Sequence, residues 1–202
     1  MDDSSQMPPW GFLALVSYIP DPLGSFLYGI RQTLSAEENP QAHITILPRR
    51  PLLLPVEAAS EQAISILSRF PAFEVELCNV KRFPETNVMY LDVGKGNARL
   101  HALHDALNTG DLAHDEEFEF RPHLTLSGPV CRSEAEGVRA RAKAAWDPAG
   151  INRRFLIEDV VCLWLSAENV DGSWRRLWSY RLGAREKVRT AAVSFAAIAQ
   201  TY

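Results

Sequence analysis

The sequence predicts a mixed helix-and-sheet fold, α+β or α/β, with mostly antiparallel strand pairing. Three observations carry that expectation. Strand-like and helix-like segments interleave along the chain, which points to layers of both kinds. Several strands follow one another through short turns, and Asn169-Val170-Asp171-Gly172 is a hairpin signal between the last two. With 202 residues, 47% hydrophobic and 23% charged, the chain suits one domain, or one domain of two related lobes, around a real core.

The elements follow in order. Phe12 to Ile19 is an apolar strand, stopped by Pro20 and Pro22. Leu23, Phe26, Leu27, Ile30 and Leu34 then form one helical stripe. Ala42 to Leu47 alternates like a short strand ended by Pro48, and a proline-rich connection leads to a helix over Val56 to Arg69. Strands over Phe73 to Val80 and Asn87 to Val93 precede a glycine turn and a helix from Ala98 to Asn108. After the acidic loop Asp111 to Glu117 comes a strand around His123 to Leu126, then a helix over Ser133 to Trp146. Phe155 to Ser166 and Trp174 to Leu182 are the last strands, and the nearly uncharged tail that follows reads as a terminal packing helix.

Composition narrows the function classes. A formal charge of −4 and a pI near 5.8 argue against a surface built to grip long nucleic acid non-specifically; they leave room for a local basic pocket, and a small anionic ligand fits this balance better than a polymer. Three cysteines without Cys-x-x-Cys spacing form neither a disulfide framework nor a zinc knuckle, which suggests a reducing compartment. Asp2 and Asp3 stand where a secretory signal would be basic, and the run from Phe12 is too short to span a bilayer. The expectation is a cytoplasmic protein away from membranes.

Two short segments carry the chemistry: His43-Ile44-Thr45-Ile46 and His123-Leu124-Thr125-Leu126, which lie 80 residues apart. In a strand, residues i and i+2 share a face, so each histidine stands beside a threonine while the apolar residues turn to the core. A histidine exchanges a proton near neutral pH, and a threonine hydroxyl can donate to a phosphate oxygen. Two such strands together place two imidazoles and two hydroxyls around one phosphate. One imidazole can then take a proton from an attacking water while the other protonates the leaving oxygen. The hydroxyls hold the charge that develops. Nothing in this scheme needs a metal or other cofactor, and the sequence offers no obvious metal cage.

The paired motifs resemble the 2H phosphoesterase superfamily, and within it the bacterial 2′-5′ RNA ligases or RNA 2′,3′-cyclic phosphodiesterases. Ala42 to Pro48 looks like that family's first motif and Arg121 to Leu126 like its second with its flank. The Phe155 to Glu158 strand and the Asp171-Gly172-Ser173-Trp174 hairpin resemble its C-terminal pair. The resemblance spans Phe12 to Leu182. It implies an α+β, LigT-like fold of two pseudo-symmetric lobes around a central cleft, with residues 1–185 as one bilobal domain and 186–202 as a tail. It also implies hydrolysis of a 2′,3′-cyclic phosphate to a 2′-phosphate, with His43 as general acid, His123 as general base, and Thr45 and Thr125 on the phosphate. The expected partner is an RNA 3′ end or a small cyclic nucleotide, and the expected state a monomer. Ligation of 2′-5′ RNA would use the same four residues, and a nucleotide-end binder with little catalysis is the reading from another class.

Weaker candidates surround this set. Arg121, two residues before His123, would face the same cleft in a continued strand and touch phosphate or ribose. Arg49 and Arg50 read as solvated charges. His101 and His104 lack the further ligands a metal would need, and His104 reads as a partly buried, hydrogen-bonded structural residue. Gly94-Lys95-Gly96 lacks the remaining residues of a phosphate-binding loop and reads as a plain turn. Tyr28, Phe118, Phe120 and Trp174 are the aromatics available to stack on a base. Strict alternation from Glu117 to Leu126, however, would send Phe118 and Phe120 to the core.

Overall fold

The computed structural model describes residues 8–34, 41–168 and 172–183. Eight strands pair antiparallel in the order β6-β3-β4-β5-β2-β1-β7-β8. They are β1 (Phe12–Tyr18), β2 (His43–Pro51), β3 (Phe73–Arg82), β4 (Met89–Val93), β5 (His123–Thr125), β6 (Arg154–Ile157), β7 (Asp159–Leu165) and β8 (Arg175–Arg181). Four helices join them: α1 (Leu23–Leu34), α2 (Val56–Leu67), α3 (Asn97–Leu107) and α4 (Ala135–Trp146). The α+β expectation holds. The chain runs strand, helix, His-x-Thr strand, helix twice over, as β1-α1-β2-α2 and as β4-α3-β5-α4. That order makes β2 and β5 the two central strands of the sheet.

Alternation sets the faces. Leu13, Leu15, Ile44, Leu91 and Leu124 are fully buried in one cluster with Leu27, Ala59, Leu103 and Trp146 of the four helices. The opposite face is thereby left to the polar residues of the motifs. Trp146 is the largest of the fully buried side chains, and its indole N–H donates to the Cys78 carbonyl at 2.6 Å. That bond satisfies a polar group which would otherwise be costly to bury.

The structure departs from the sequence reading in three places. The second strand does not end at Pro48 but continues to Pro51, because register shifts between Leu13/Leu15 and Leu15/Val16 place extra β2 residues opposite β1. A bulge spares the proline its ladder hydrogen bond, and a second one buries both Ile46 and Leu47. The long strand expected over Phe155 to Ser166 is two strands broken at Glu158. β6 pairs with β3 near one end of the row and β7 with β1 near the other. A single stretch of chain therefore joins the two halves of the curled sheet. Finally, residues 117–122 are not strand, since β5 has only three residues. The expected tail helix and most of the 169–172 hairpin signal lie outside the described residues.

Gly11 shows why the backbone needs glycine at the entry to β1. Its φ is +77°, and a Cβ there would sit 2.0 Å from the Leu165 carbonyl oxygen. Gly94-Lys95-Gly96 is the plain turn expected, with Lys95 paired to Glu74 and Gly96 at φ +86° opening α3.

Candidate active site

The site begins with a register. Ile44 of β2 lies opposite Leu124 of β5 in an antiparallel pair. Continued by one residue either way, that register sets His43 against Thr125 and Thr45 against His123. All four side chains share the face opposite the core and are half-buried. Opposite neighbours in such a pair stand ~5 Å apart at Cβ and diagonal ones ~7–8 Å. The two histidines are the diagonal.

Both imidazoles are held the same way. His43 Nδ1 lies 2.8 Å from the Gln41 carbonyl oxygen, and His123 Nδ1 lies 2.7 Å from the Arg121 carbonyl oxygen. A carbonyl only accepts, so each Nδ1 carries the proton and each Nε2 is left with a free lone pair. Burial pushes both imidazole pKa values below the ordinary histidine value, against the pull of these carbonyl bonds. The positive charges of Arg31 and of His123 add to the downward push on His43, and that of Arg121 adds to the push on His123. Charge on one imidazole thus opposes charge on the other. The arrangement favours at most one imidazolium in the pair, as an acid and base working together require.

Aromatic rings fix the second histidine. Phe83 stands edge-on to His123 with centroids 4.9 Å apart, Tyr90 does the same at 5.4 Å, and Phe83 stacks on Tyr90 at 4.1 Å. Tyr90 sits opposite Thr125 in the β4–β5 pair, and Asp92 sits opposite His123. Arg121 lies over Phe83 at 5.8 Å, and hydrogen bonding with Tyr90 raises its pKa further. On the other side Tyr18, opposite His43 in register, meets it edge-on at 6.1 Å.

Beside this centre opens a cavity of about 760 Å³, reached by Thr45 and His123 and walled by Pro48, Arg49, Phe83, Glu85, Thr86, and the loop from His114 through Arg121. Arg121 faces the cleft, as its spacing from His123 suggested, although no strand continues there. Phe118 and Phe120 correct the core assignment. Both line the cavity, Phe118 is 59% exposed, and the pleat that would have turned them inward is absent. Phe120 stacks flat on His104 at 3.8 Å. Tyr28 and Trp174 are exposed and do not line this cavity.

Arg49 and Arg50 part company. Arg49 lies over the Phe12 ring at 3.7 Å and lines the cavity. Arg50, expected to be solvated, is 1% exposed. It donates to Glu116 at 2.8 Å, to the Asn108 side-chain oxygen at 2.7 Å, and to the Leu112 and Pro48 carbonyls. The same Glu116 oxygen bonds His104 Nε2 at 3.0 Å, so His104 is the hydrogen-bonded structural residue its sequence context suggested. The β2 bulges put Arg50 on the core face, where it ties the first motif's strand to the loop before the second.

Sequence reasoning missed Tyr18, Arg31, Phe83 and Tyr90. The signal for Arg31 was present, since it falls one turn after Leu27 on the apolar stripe of α1 and is 5% exposed. Tyr90 could be found by alternation within β4; Phe83, at the end of β3, has no local signature. Among the described residues no three His, Cys, Asp or Glu side chains gather as a metal set, and no helix is long and apolar enough to cross a membrane.

An antiparallel sheet whose central strands each present a His-x-Thr pair beside one cleft defines a LigT-like fold. The comparisons take the class to a family. The profile of the 2′-5′ RNA ligase superfamily matches residues 19–169, and the chain belongs to that superfamily. A Geobacillus kaustophilus (strain HTA426) protein provisionally named a phosphoesterase is 26% identical over 156 residues, 73% of this chain and 86% of its own. A Geobacillus sp. (strain WCH70) protein with a like provisional name is 28% identical over 105 residues, 52% of this chain and just over half (56%) of its own. Among solved structures, apo Escherichia coli LigT superposes with a TM-score of 0.58 at 15% identity, covering 87% of this chain and 98% of LigT. The Thermus thermophilus protein TT0787 does so at 0.57 and 16% identity, covering 87% and 100%. These likenesses show the fold.

Proposed function

We propose that the chain is a metal-independent cyclic phosphodiesterase that opens 2′,3′-cyclic phosphates of an RNA end or a small nucleotide to 2′-phosphates. The observation that carries the reading is the two-by-two grid of His43, Thr45, His123 and Thr125 set by the Ile44–Leu124 register. With each Nδ1 proton committed to a backbone carbonyl, both Nε2 atoms are left free for a phosphate. His123 takes a proton from water as its oxygen attacks phosphorus. His43, entering as imidazolium, gives its Nε2 proton to the departing 3′ oxygen, so the charge on the pair is conserved across the step. Thr45 and Thr125 donate to the two non-bridging oxygens, whose negative charge grows in the transition state. Arg121, beside His123 at the cavity mouth, is the candidate contact to phosphate or ribose.

Further support comes from the relatives. Escherichia coli LigT has been solved with 3′-AMP, NADP+, ATP and phosphate, which favours a nucleotide-sized ligand here. The three free cysteines fit a reducing, cytoplasmic setting. The test is turnover of 2′,3′-cyclic mononucleotides in EDTA, with the product identified as the 2′- or 3′-phosphate. Binding of cyclic ends without turnover would replace this reading with that of a binding module. Formation of 2′-5′ bonds from a 2′,3′-cyclic end and a 5′-hydroxyl end would show the same site using that hydroxyl in place of water as the nucleophile.

A further inference from the structure

Resting on the two-histidine reading, we infer that the cavity wall selects substrates carrying a single phosphate charge, nucleoside 2′,3′-cyclic phosphates, and repels chain-ended RNA. The lining holds two arginines, Arg49 and Arg121, and four glutamates, Glu85, Glu116, Glu117 and Glu119. Glu116 is neutralised, since Arg50 grips it at 2.8 Å from within the core. The other three are exposed and form no ion pair among the described residues. Glu119 and Glu85 lie close enough to Arg121 to act on its charge, yet three carboxylates against two arginines still leave the wall with one net negative charge, in a molecule whose net charge is already −4.

The loop is ordered so that one charge is welcome and a second is not. Arg121 is joined through its own carbonyl to His123 at 2.7 Å, at the phosphate end of the cavity. Upstream of it the loop alternates acid and aromatic, Glu117-Phe118-Glu119-Phe120, and all four residues line the cavity. Phe118, 59% exposed, offers a face to a base, while its neighbours repel any further phosphate. The Arg50–Glu116–His104 network, with Phe120 stacked flat on His104, holds this loop in place. A nucleoside cyclic phosphate brings one negative charge to the site. Each nucleotide added on the 5′ side brings one more. Like charges ~10 Å apart in water are worth a factor of about two before screening, so one net negative charge costs the first added phosphate about twofold, and the phosphates beyond it compound this to a severalfold penalty.

The experiment compares kcat/KM for a 2′,3′-cyclic mononucleotide and for a pentanucleotide ending in the same cyclic nucleotide. It uses wild type and the Glu85→Gln/Glu117→Gln/Glu119→Gln variant, at low and at high salt. The inference expects wild type to favour the mononucleotide severalfold and the variant to lose that preference by gaining more on the pentamer than on the mononucleotide. In wild type, pentamer turnover should rise with salt, opposite in sign to the counterion release that governs a basic RNA-binding surface. Turnover of both substrates with no preference, or pentamer turnover that falls with salt, overturns the inference and leaves the phosphodiesterase reading standing. No turnover of either substrate overturns both.

Discussion

Replacing Arg50 with methionine keeps an unbranched apolar stem and removes the guanidinium with its charge and donors. Four acceptors lose their partner: Glu116, the Asn108 side chain, and the Leu112 and Pro48 carbonyls. Arg50 is 1% exposed and Glu116 has only 15% of its side chain exposed, so water does not freely replace the lost bonds. Removing one partner of a buried pair costs ~3–5 kcal/mol, because the other charge stays buried and uncompensated. His104 still reaches Glu116 at 3.0 Å and softens that penalty, which sets the expectation near ~4 kcal/mol. At ~2–4 °C per kcal/mol for a domain of this size, the melting temperature should fall by ~8–16 °C. Urea unfolding gives the free energy directly, with the midpoint lowered and the slope unchanged. Glu116→Gln in the Arg50→Met background should cost less than it does in wild type, since the pair is already broken. A loss under ~1 kcal/mol, or strict additivity of the two changes, would show that Arg50 does not hold the loop.

Two further predictions follow from the site. Both imidazoles titrate below the ordinary ~6.5, so the limb that deprotonates the base and the limb that deprotonates the acid both lie on that side. A kcat/KM profile should therefore peak below ~pH 6.5 and fall toward neutrality, and Arg121→Met, which lifts one depressing charge from His123, should move a limb upward; a maximum above ~pH 7.5 would contradict the assignment. Thr45→Val and Thr125→Val should each lower kcat about a hundredfold if the hydroxyls hold the transition-state charge, and a change confined to KM would make them ground-state contacts only.

Much of this molecule is legible in its sequence where local pattern and tertiary environment agree. α1 spans the range its apolar stripe predicts and buries Leu23, Leu27, Ile30 and Leu34 of it, and the twin His-x-Thr segments announce the central strands because a two-residue period leaves each histidine only one face to share with its threonine. Errors arise where the chain breaks its own period. The β2 bulges carry the strand past Pro48 and turn Arg50 inward, which no count of alternating residues reveals. The break at Glu158 divides a continuous apolar run between distant parts of the sheet, a matter of partner strands and not of propensity. Extending β5 backward through Glu117 sends Phe118 and Phe120 to the core, whereas an irregular loop brings both to the cavity. Phe83, Tyr90 and His123 come together from three different segments of the chain, so their joint role exists only in the folded molecule.

The most direct test of the central claim is single-substrate turnover of a nucleoside 2′,3′-cyclic phosphate in EDTA by wild type, His43→Ala and His123→Ala. The account predicts a 2′-phosphate product from wild type and a loss of at least ~10²-fold in each variant, with folding unchanged because both side chains are half-buried on the cleft face. Full activity in either variant, or turnover that EDTA abolishes, would contradict it.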